Sequence, residues 1–272
     1  MKKYIALATL LAAGSTFADA AVETSLLWLF DFTDTTLKAS TGNVTNLSGT
    51  GEINTTGGFT AGVGSYTTDR TSGEILKFTL GGDTSVVNKL SGSFTLSFHA
   101  KEAVNIASWQ TIASFGEDNG KCFKVDTNGS NNGLGFNADG SESGYGVNSH
   151  SAILPTDSWQ HYVVTYDGNG STGGALKLYV DGVLAVSYET TTMKDDNAMK
   201  TFSFGGRIGN NNNNSAMSFS DIAIYDGVLA SDQIAYLKTH KANASAIPEP
   251  STFGLLAGLG ALALVGTRRR RR

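Results

Sequence analysis

Acidic side chains are the first candidates for chemistry in this sequence. Hydrolysis of a glycosidic bond needs two carboxyl groups, one to protonate the leaving oxygen and one to attack or to activate water. The chain has eight glutamates, and Glu117 and Glu142 fall in glycine- and asparagine-rich stretches that are typical of loops. A Gly-x-Ser-x-Gly elbow, a His-Glu-x-x-His pair and paired cysteines are absent from the sequence. The residues therefore predict a protein that is not an enzyme.

Aromatic side chains offer a second kind of chemistry, because concave protein faces use aromatic rings with a few polar groups to hold sugars. Trp109, Tyr145 and Trp159 are candidate ligand-binding residues, and Asn210–Asn214 could supply hydrogen bonds. Aromatic residues more often fill the core of a sandwich. A run of asparagines is more often a solvated loop. Both interpretations stay open on the sequence alone.

Two short segments alternate oxygen-bearing side chains in the manner of a calcium loop. Asp126–Ser130 and Asp167–Ser171 each place Asp, Asn and Ser at every second position. Both lack the glycine at position six and the closing glutamate of an EF-hand. We therefore interpret them as hairpin loops.

The elements that must position such residues are strands. Polar and apolar residues alternate over Trp159–Tyr166 and again over Leu176–Val180, and Asp181-Gly182 suits the tight turn that leads into Val183–Tyr188. With 33 glycines, 3 prolines and 40% hydrophobic residues, the composition favours a turn-rich all-β domain. The sequence shows no second domain and no internal repeat.

Alternation also predicts which side chains face the core. In the segment 94–100, the inward set is Phe94, Leu96, Phe98 and Ala100, and the outward set includes Thr95, Ser97 and His99. In the last strand, 217–225, the period of two places Phe219 with Asp221, Ala223 and Tyr225, opposite Ile222 and Ile224. A short helix should follow, capped at its N-terminus by Ser231.

The N-terminus has the three parts of a secretory signal peptide. Lys2 and Lys3 precede the apolar run 4–13, and Ala18 and Ala20 form a small-residue cleavage site, with the cut expected before Ala21. We therefore expect residues 1–20 to be a signal helix removed by signal peptidase.

The C-terminus has a different composition from the body. Pro248, Glu249 and Pro250 lead into the apolar, glycine-rich run 253–266, which ends in a block of arginines. That run is shorter than the roughly 20 residues of a bilayer span, and the arginines should keep their end in the cytoplasm. The arginine block is Arg268, Arg269, Arg270, Arg271 and Arg272.

The central motif W-x-H-x-x-V-T-Y-D followed by L-Y-V-D-G, within Trp159–Gly182, resembles the laminin-G-like (concanavalin A-like) jelly-roll family. The resemblance implies a two-sheet antiparallel jelly-roll sandwich over residues 21–238, followed by a linker at 239–247. Many members hold a structural Ca²⁺ between the first and last strands, which implies Asp31 and Asp221 as metal ligands. Laminarinase-like relatives carry their catalytic acids as E-x-D-x-x-E, a pattern this chain lacks.

Residues 248–272 resemble the PEP-CTERM sorting signal through the order of Pro-Glu-Pro, apolar run and basic tail. The resemblance implies a short hydrophobic helix, transient membrane association, and processing by an exosortase-type protease. The expected route is export through an inner-membrane intermediate to the cell surface or extracellular matrix of a Gram-negative-type bacterium. The alternative is a plain retained anchor.

Charge narrows the possible partners. Without Lys2, Lys3, Asp19 and the five terminal arginines, the body carries a formal charge of about −10, which disfavours nucleic acid as a partner. We therefore expect a secreted, non-enzymatic binding or structural module whose ligand would be carbohydrate or exopolysaccharide. The alternatives are a carbohydrate-active enzyme with a scattered acid pair and a purely architectural matrix protein.

Overall fold

The computed structural model describes residues 26–70, 74–81, 93–102, 109–116, 122–127, 133–138, 148–150, 155–167, 174–190, 201–207 and 213–242. These residues form strands β1 (Leu26–Phe30), β2 (Val44–Ser48), β3 (Glu52–Asn54), β4 (Ser65–Thr67), β5 (Leu76–Leu80), β6 (Ser93–Glu102), β7 (Thr111–Gly116), β8 (Cys122–Thr127), β9 (Leu134–Ala138), β10 (Asn148–His150), β11 (Gln160–Asp167), β12 (Gly174–Val180), β13 (Val183–Thr190), β14 (Thr201–Phe204) and β15 (Met217–Asp226). One short helix follows, α1 (Ser231–Leu237). The predicted signal peptide and sorting tail lie outside the described residues.

Two antiparallel sheets form a sandwich. The first sheet has the order β13-β12-β11-β6-β15-β4-β3, with β1 also paired to β15, and the second has the order β10-β9-β8-β7-β14-β5-β2. The predicted all-β jelly-roll fold is therefore confirmed. None of the helices in the described residues is long and apolar enough to cross a membrane.

The core lies between the sheets and is mostly aromatic. Phe98 stacks on Tyr162 across β6 and β11, and Phe204 meets both Phe98 and Phe219 edge-on from the second sheet. The inward set predicted for β6 is fully buried in this core. The period of two was sufficient here because β6 pairs with β11 without interruption from Gln160 to Asp167.

The central hairpin also follows the prediction. Asp181 and Gly182 both have positive φ, 53° and 81°, and join Val180 to its partner Val183. Positive φ at both turn positions matches the right-handed twist of the two strands. The Asp181 carboxylate additionally accepts the backbone N–H of His161 at 3.1 Å, which ties the turn to β11.

The period of two fails in β15, where a bulge lies between Ser220 and Ala223. Asp221 adopts φ 52° in this bulge, and Phe219 joins Ile222 and Ile224 in the main core. The prediction that Phe219 shares a face with Asp221 was therefore wrong, because one extra residue inverts the alternation.

The outer face of the first sheet is covered by α1. Thr95, Ser97 and His99 were expected to face outward, and they do lie on that face, but they are buried. A second apolar cluster forms there, in which Val163 and Tyr225 pack with Ile234 of the helix.

The predicted N-cap of α1, Ser231, was wrong, because the residue before the helix is Ala230. Its N–H is bound by the side chain of Gln233.

The backbone of Gly64 lies in close contact with that of neighbouring segments in the first sheet. Its N–H donates to the Asp31 carbonyl at 2.7 Å, its carbonyl accepts from Ser220 Oγ, and an added Cβ would overlap the carbonyl oxygen of Phe32. We expect Gly64→Ala to lower the free energy of unfolding by about 3 kcal/mol or more. The matched control is Gly62→Ala, where φ is +77° but the space is open. It should cost only the left-handed penalty of about 1–2 kcal/mol. Equal losses in urea unfolding would contradict the close approach at Gly64.

Candidate functional site

One end of the second sheet gathers polar groups around the start of β7. The N–H of Trp109 donates to the Thr127 carbonyl at 2.9 Å, and the N–H of Thr111 donates to the Asn213 carbonyl at 2.8 Å. Thr111 also forms an isolated parallel bridge with Asn214 and lies opposite Asp126 of β8. We call Trp109, Thr111, Asp126 and Asn214 the β7 corner.

Asn214 is the unusual member of the corner. It is only 4% exposed, and its side-chain oxygen and nitrogen are both buried without a hydrogen-bond partner. A buried polar group in this state costs about 1–3 kcal/mol. The expectation that Asn210–Asn214 is a solvated loop was therefore wrong for Asn214. The position needs Gly206, because an added Cβ there would overlap the Asn214 amide oxygen.

Thr111 has the same property. It is 1% exposed, and its hydroxyl is also buried without a partner. Residues paired in a bridge have Cα atoms about 5 Å apart, so a hydroxyl and an amide, both unpaired, lie on adjacent backbones. An amide and a hydroxyl together can donate and accept several hydrogen bonds, which matches the needs of a polyhydroxylated ligand.

The outer face of the second sheet carries a polar row that leads to this corner. Lys77, Ser203, Ser114 and Lys124 lie opposite one another on β5, β14, β7 and β8. The hydroxyls of Ser114 and Ser203 are 2.8 Å apart, and Ser203 donates to the Gly206 carbonyl at 2.6 Å. Ser114, Ser203 and Lys124 are buried. Asp126, two residues after Lys124, connects this row to the β7 corner.

The aromatic candidates separate in the structure. Trp109 is 44% exposed and has a positive φ of 63°, which is unusual for a bulky residue. Trp159 is half-buried in front of β11 of the other sheet, with the Lys101 ammonium 5.0 Å from its ring centre. Tyr145 lies outside the described residues. Of the three candidates, Trp109 is the one that the structure brings to the β7 corner.

Sequence reasoning missed Thr111, Asp126 and Asn214 as a group. Lys124 and Asp126 alternate with Phe123 and Val125, so their outward position was readable from the sequence. The sequence could not predict that they lie near Asn214, because this proximity depends on the bridge between Thr111 and Asn214, about a hundred residues apart.

A second polar site lies where β1 meets β15. Phe30 pairs with Ile222, so the next residues along, Asp31 and Asp221, come face to face at the bulge. Asp221 Oδ2 accepts the N–H of Ala242 at 2.6 Å, and Oδ1 is buried without a partner. Burial is the main cause that raises the pKa of Asp221 to about 7, with a smaller contribution from the Asp31 carboxylate, against the lowering effects of the Ala242 N–H and Lys241.

Asp31 is more open and better solvated. It borders a cavity of about 180 Å³ lined also by Phe32, Thr33 and Lys38. Burial alone would raise the pKa of Asp31, but hydrogen bonds from Ser40 and Thr33 outweigh it and lower that pKa. Asp31 is therefore ionised at neutral pH, whereas Asp221 is only partly ionised.

The donor set at this second site fits a calcium ion in part. Calcium takes six to eight oxygen ligands, and the free Oδ1 of Asp221 together with Asp31 supplies hard anionic oxygens. The described residues contain no group of three His, Cys, Asp or Glu side chains placed to hold a metal. Any further ligands would be carbonyl oxygens or water. A calcium ion there would neutralise two facing carboxylates and join the first strand to the last.

Calcium binding is testable by thermal unfolding. We expect calcium in place of a chelator to raise the unfolding midpoint, because a ligand at 100 times its Kd stabilises by about 2.7 kcal/mol. Asp221→Asn and Asp31→Asn should each abolish the rise, whereas magnesium should give little change. An unchanged midpoint for the wild-type protein would remove both residues as metal ligands.

Two histidines lie near this site on the same sheet face. The rings of His99 and His161 stack with centres 4.6 Å apart, and Phe59 stacks on the other side of His99 at 3.5 Å. His161 Nε2 is 2.8 Å from the Ser97 hydroxyl. Burial lowers the pKa of His99 to about 4 and lowers that of His161 as well. Both imidazoles are therefore neutral at pH 7 and fill space in the fold.

These shifts predict opposing effects of pH on stability. His99 titrates near 4 when folded and near 6.5 when unfolded, so acidification from pH 7.5 to 5 should cost about 2 kcal/mol through this residue. His161 acts in the same direction. Asp221 has a raised folded pKa, so its contribution is lost as pH rises towards 7 and partly offsets the histidines.

Single variants separate the contributions of His99 and Asp221 to the pH dependence of stability. We expect His99→Gln to flatten the dependence of unfolding free energy on pH between 7.5 and 5, and Asp221→Asn to steepen it. The measurement is urea unfolding at each pH. Parallel curves for wild type and both variants would show that neither group titrates differently in the folded protein.

Comparison with known proteins assigns two parts of the chain. Residues 77–235 match the model of the concanavalin A-like lectin/glucanases superfamily, and residues 246–271 match the PEP-CTERM protein-sorting motif. Both resemblances noted in the sequence are thereby confirmed. No curated protein matches the chain.

Several solved structures share the sandwich. Domain 4 of AbnA, a GH43 extracellular arabinanase from Geobacillus stearothermophilus in complex with arabinotriose, has 17% identity and a TM-score of 0.53, covering 79% of this chain and 99% of that one. The binding domain of botulinum neurotoxin DC in complex with SialylT has 18% identity and a TM-score of 0.51 over 78% of this chain. The match spans 50% of that toxin domain's chain. At these identities the similarity shows the fold alone.

Proposed function

Because the chain belongs to the concanavalin A-like lectin/glucanases superfamily, we propose that it is a non-enzymatic module that binds carbohydrate at the β7 corner. The observation that carries this proposal is the buried Asn214 amide, whose oxygen and nitrogen have no partner. Burial makes the unpaired amide costly in the free protein. Because Asn214 is only 4% exposed, a ligand hydroxyl can relieve that cost only when the corner opens, so binding and opening of the corner are coupled.

The surroundings of the amide suit a sugar. Trp109 offers an exposed ring for the apolar face of a pyranose or furanose. Thr111 adds an unpaired hydroxyl, and Asp126 lies opposite it on β8. This combination of one aromatic platform and a few convergent polar groups is typical of a carbohydrate site.

The neighbouring structures support the class of ligand. Domain 4 of the arabinanase was solved with arabinotriose, and the toxin binding domain was solved with SialylT. Those ligands belong to those proteins, and low identity prevents a transfer of contacts. They are consistent with an oligosaccharide as the ligand of this chain.

The sorting motif supports a route through the membrane to the cell surface. A PEP-CTERM signal implies export and membrane-associated processing by exosortase-type machinery on the way to the cell surface. We further propose that the final location is the surface or extracellular matrix of a Gram-negative-type bacterium, where the partner would be an extracellular polysaccharide. Signal peptidase would act first, before Ala21.

Asn214→Leu is the sharpest test of the corner. Replacing a buried unpaired amide by an apolar group of similar size should raise the free energy of unfolding by about 1 kcal/mol or leave it unchanged. The same change should weaken glycan binding about tenfold, since it removes about 1.4 kcal/mol of hydrogen bonding to the ligand. Trp109→Ala should weaken binding by a similar factor, whereas Trp159→Ala should not change it. The measurements are urea unfolding and calorimetric titration with arabino-, gluco- and sialyl-oligosaccharides.

The outcomes distinguish the alternatives. Tight binding that survives both Asn214→Leu and Trp109→Ala would refute the β7 corner while keeping a carbohydrate function. Release of shortened sugars from a polysaccharide panel would favour a carbohydrate-active enzyme. No retention on any polysaccharide would favour an architectural matrix protein.

A further inference from the structure

The chain leaves α1 as a short segment that crosses the outer face of the first sheet. We call residues 238–242 the strap. At its start, the Lys238 carbonyl accepts a hydrogen bond from His99 Nε2 at 3.1 Å. At its end, the N–H of Ala242 donates to Asp221 Oδ2 at 2.6 Å, and Ala242 is only 1% exposed. The folded part of the chain therefore continues to Ala242, beyond the predicted domain end at 238.

The two side chains that bind the strap, His99 and Asp221, are themselves held in place by neighbouring residues of the sheet. The His99 ring lies between Phe59 and His161, and a carbonyl partner requires that Nε2 carry the hydrogen. Asp221 is held in the β15 bulge, next to Asp31, Lys241 and Tyr225. His99 is faced by His161, Asp181 and Lys238. The strap thus meets a rigid surface at both ends.

Between the two ends the strap has little hold on the sheet. Lys238, Thr239, His240 and Lys241 are exposed. The His240 ring stacks back on Tyr236 of α1 at 3.9 Å. Segments with few buried apolar contacts open at low free energy while the rest stays folded. The strap should therefore open locally when either hydrogen bond is lost.

The strap leads directly to the sorting motif, which begins at residue 246. From Ala242 to Pro248 the extended chain spans at most about 20 Å. If the strap opens, free chain starts after Leu237, and the reach to Pro248 grows to about 36–40 Å. The state of the strap therefore sets how far the processed segment can move from the domain.

We propose that the strap is a two-point latch, closed by His99 and Asp221, that fixes where the sorting tail leaves the domain and limits its reach until the latch opens. The consequence concerns the processing protease. With the latch closed, the folded domain lies within about 20 Å of Pro248, so its bulk crowds the segment that the protease must enter. This inference is independent of carbohydrate binding.

A matched pair of variants isolates the latch. Asp221→Gly removes the acceptor while tolerating φ 52°. Asp221→Asn keeps one carbonyl acceptor, and asparagine also tolerates positive φ. In the full chain in mild detergent, we expect Asp221→Gly to increase tryptic cleavage after Lys241 and deuterium uptake by residues 238–242 about tenfold, the factor that loss of one hydrogen bond allows. Asp221→Asn should stay within about threefold of wild type.

Cleavage after Lys177, inside β12, reports global unfolding in the same digest. If Asp221→Gly accelerates cleavage after Lys177 as much as after Lys241, the effect is global and the latch is refuted. Wild-type uptake at 238–242 as fast as in an unfolded peptide would refute it too. His99→Leu, which removes the donor but keeps apolar bulk, should reproduce the local opening.

Removal of the sorting tail in cells tests whether the latch limits processing. The rate of loss of the C-terminal segment should rise several-fold in Asp221→Gly relative to Asp221→Asn. Equal rates in the two variants, with the strap shown to be open in only one of them, would overturn the role of the latch in processing.

Discussion

The bulge at Asp221 and Ile222 is the feature on which the first sheet depends. β15 pairs with β6 along one edge and with β4 and β1 along the other. The extra residue lets Phe219 and Ile222 both point into the core, and it turns Ser220 and Asp221 together toward the outer face. Ser220 then binds the Gly64 carbonyl and Asp221 binds Ala242. One inserted residue thus connects the strand to the β4 segment and to the chain's C-terminal strap.

Both outer faces of the sandwich keep buried polar atoms without a hydrogen-bond partner. On the first sheet these include His99 Nδ1, His161 Nδ1, Asp221 Oδ1 and the Tyr225 hydroxyl. On the second sheet they include the Asn214 amide and the Thr111 hydroxyl, next to a serine pair that is satisfied. Unsatisfied groups are rare in folded proteins and call for an explanation. What distinguishes the second face is that its corner also carries the exposed Trp109, whereas α1 packs over the first face.

The sequence was sufficient for the inner layers and not for the outer ones. Phe94–Ala100 and the Asp181-Gly182 turn follow from local rules, because alternation and turn residues act within a few positions. The β15 bulge reversed the face of Phe219, since one inserted residue leaves no local signal. Asn214 was misjudged because its burial depends on Gly206 and on a bridge to Thr111. Tertiary contacts of this kind are invisible to a period-based analysis.

Fold and site carry separate information in this protein. The arabinanase and botulinum toxin domains that share its sandwich have 16–18% identity, and a shared fold at that level does not fix the residues of a site. The properties specific to this chain are indicated instead by the buried polar groups that cost it stability. An unpaired amide at Asn214 and a buried Asp221 carboxyl near Asp31 both lower stability in the free protein. In our proposals, that cost is offset by binding: Asn214 pairs with a ligand, and Asp221 holds the strap or a cation.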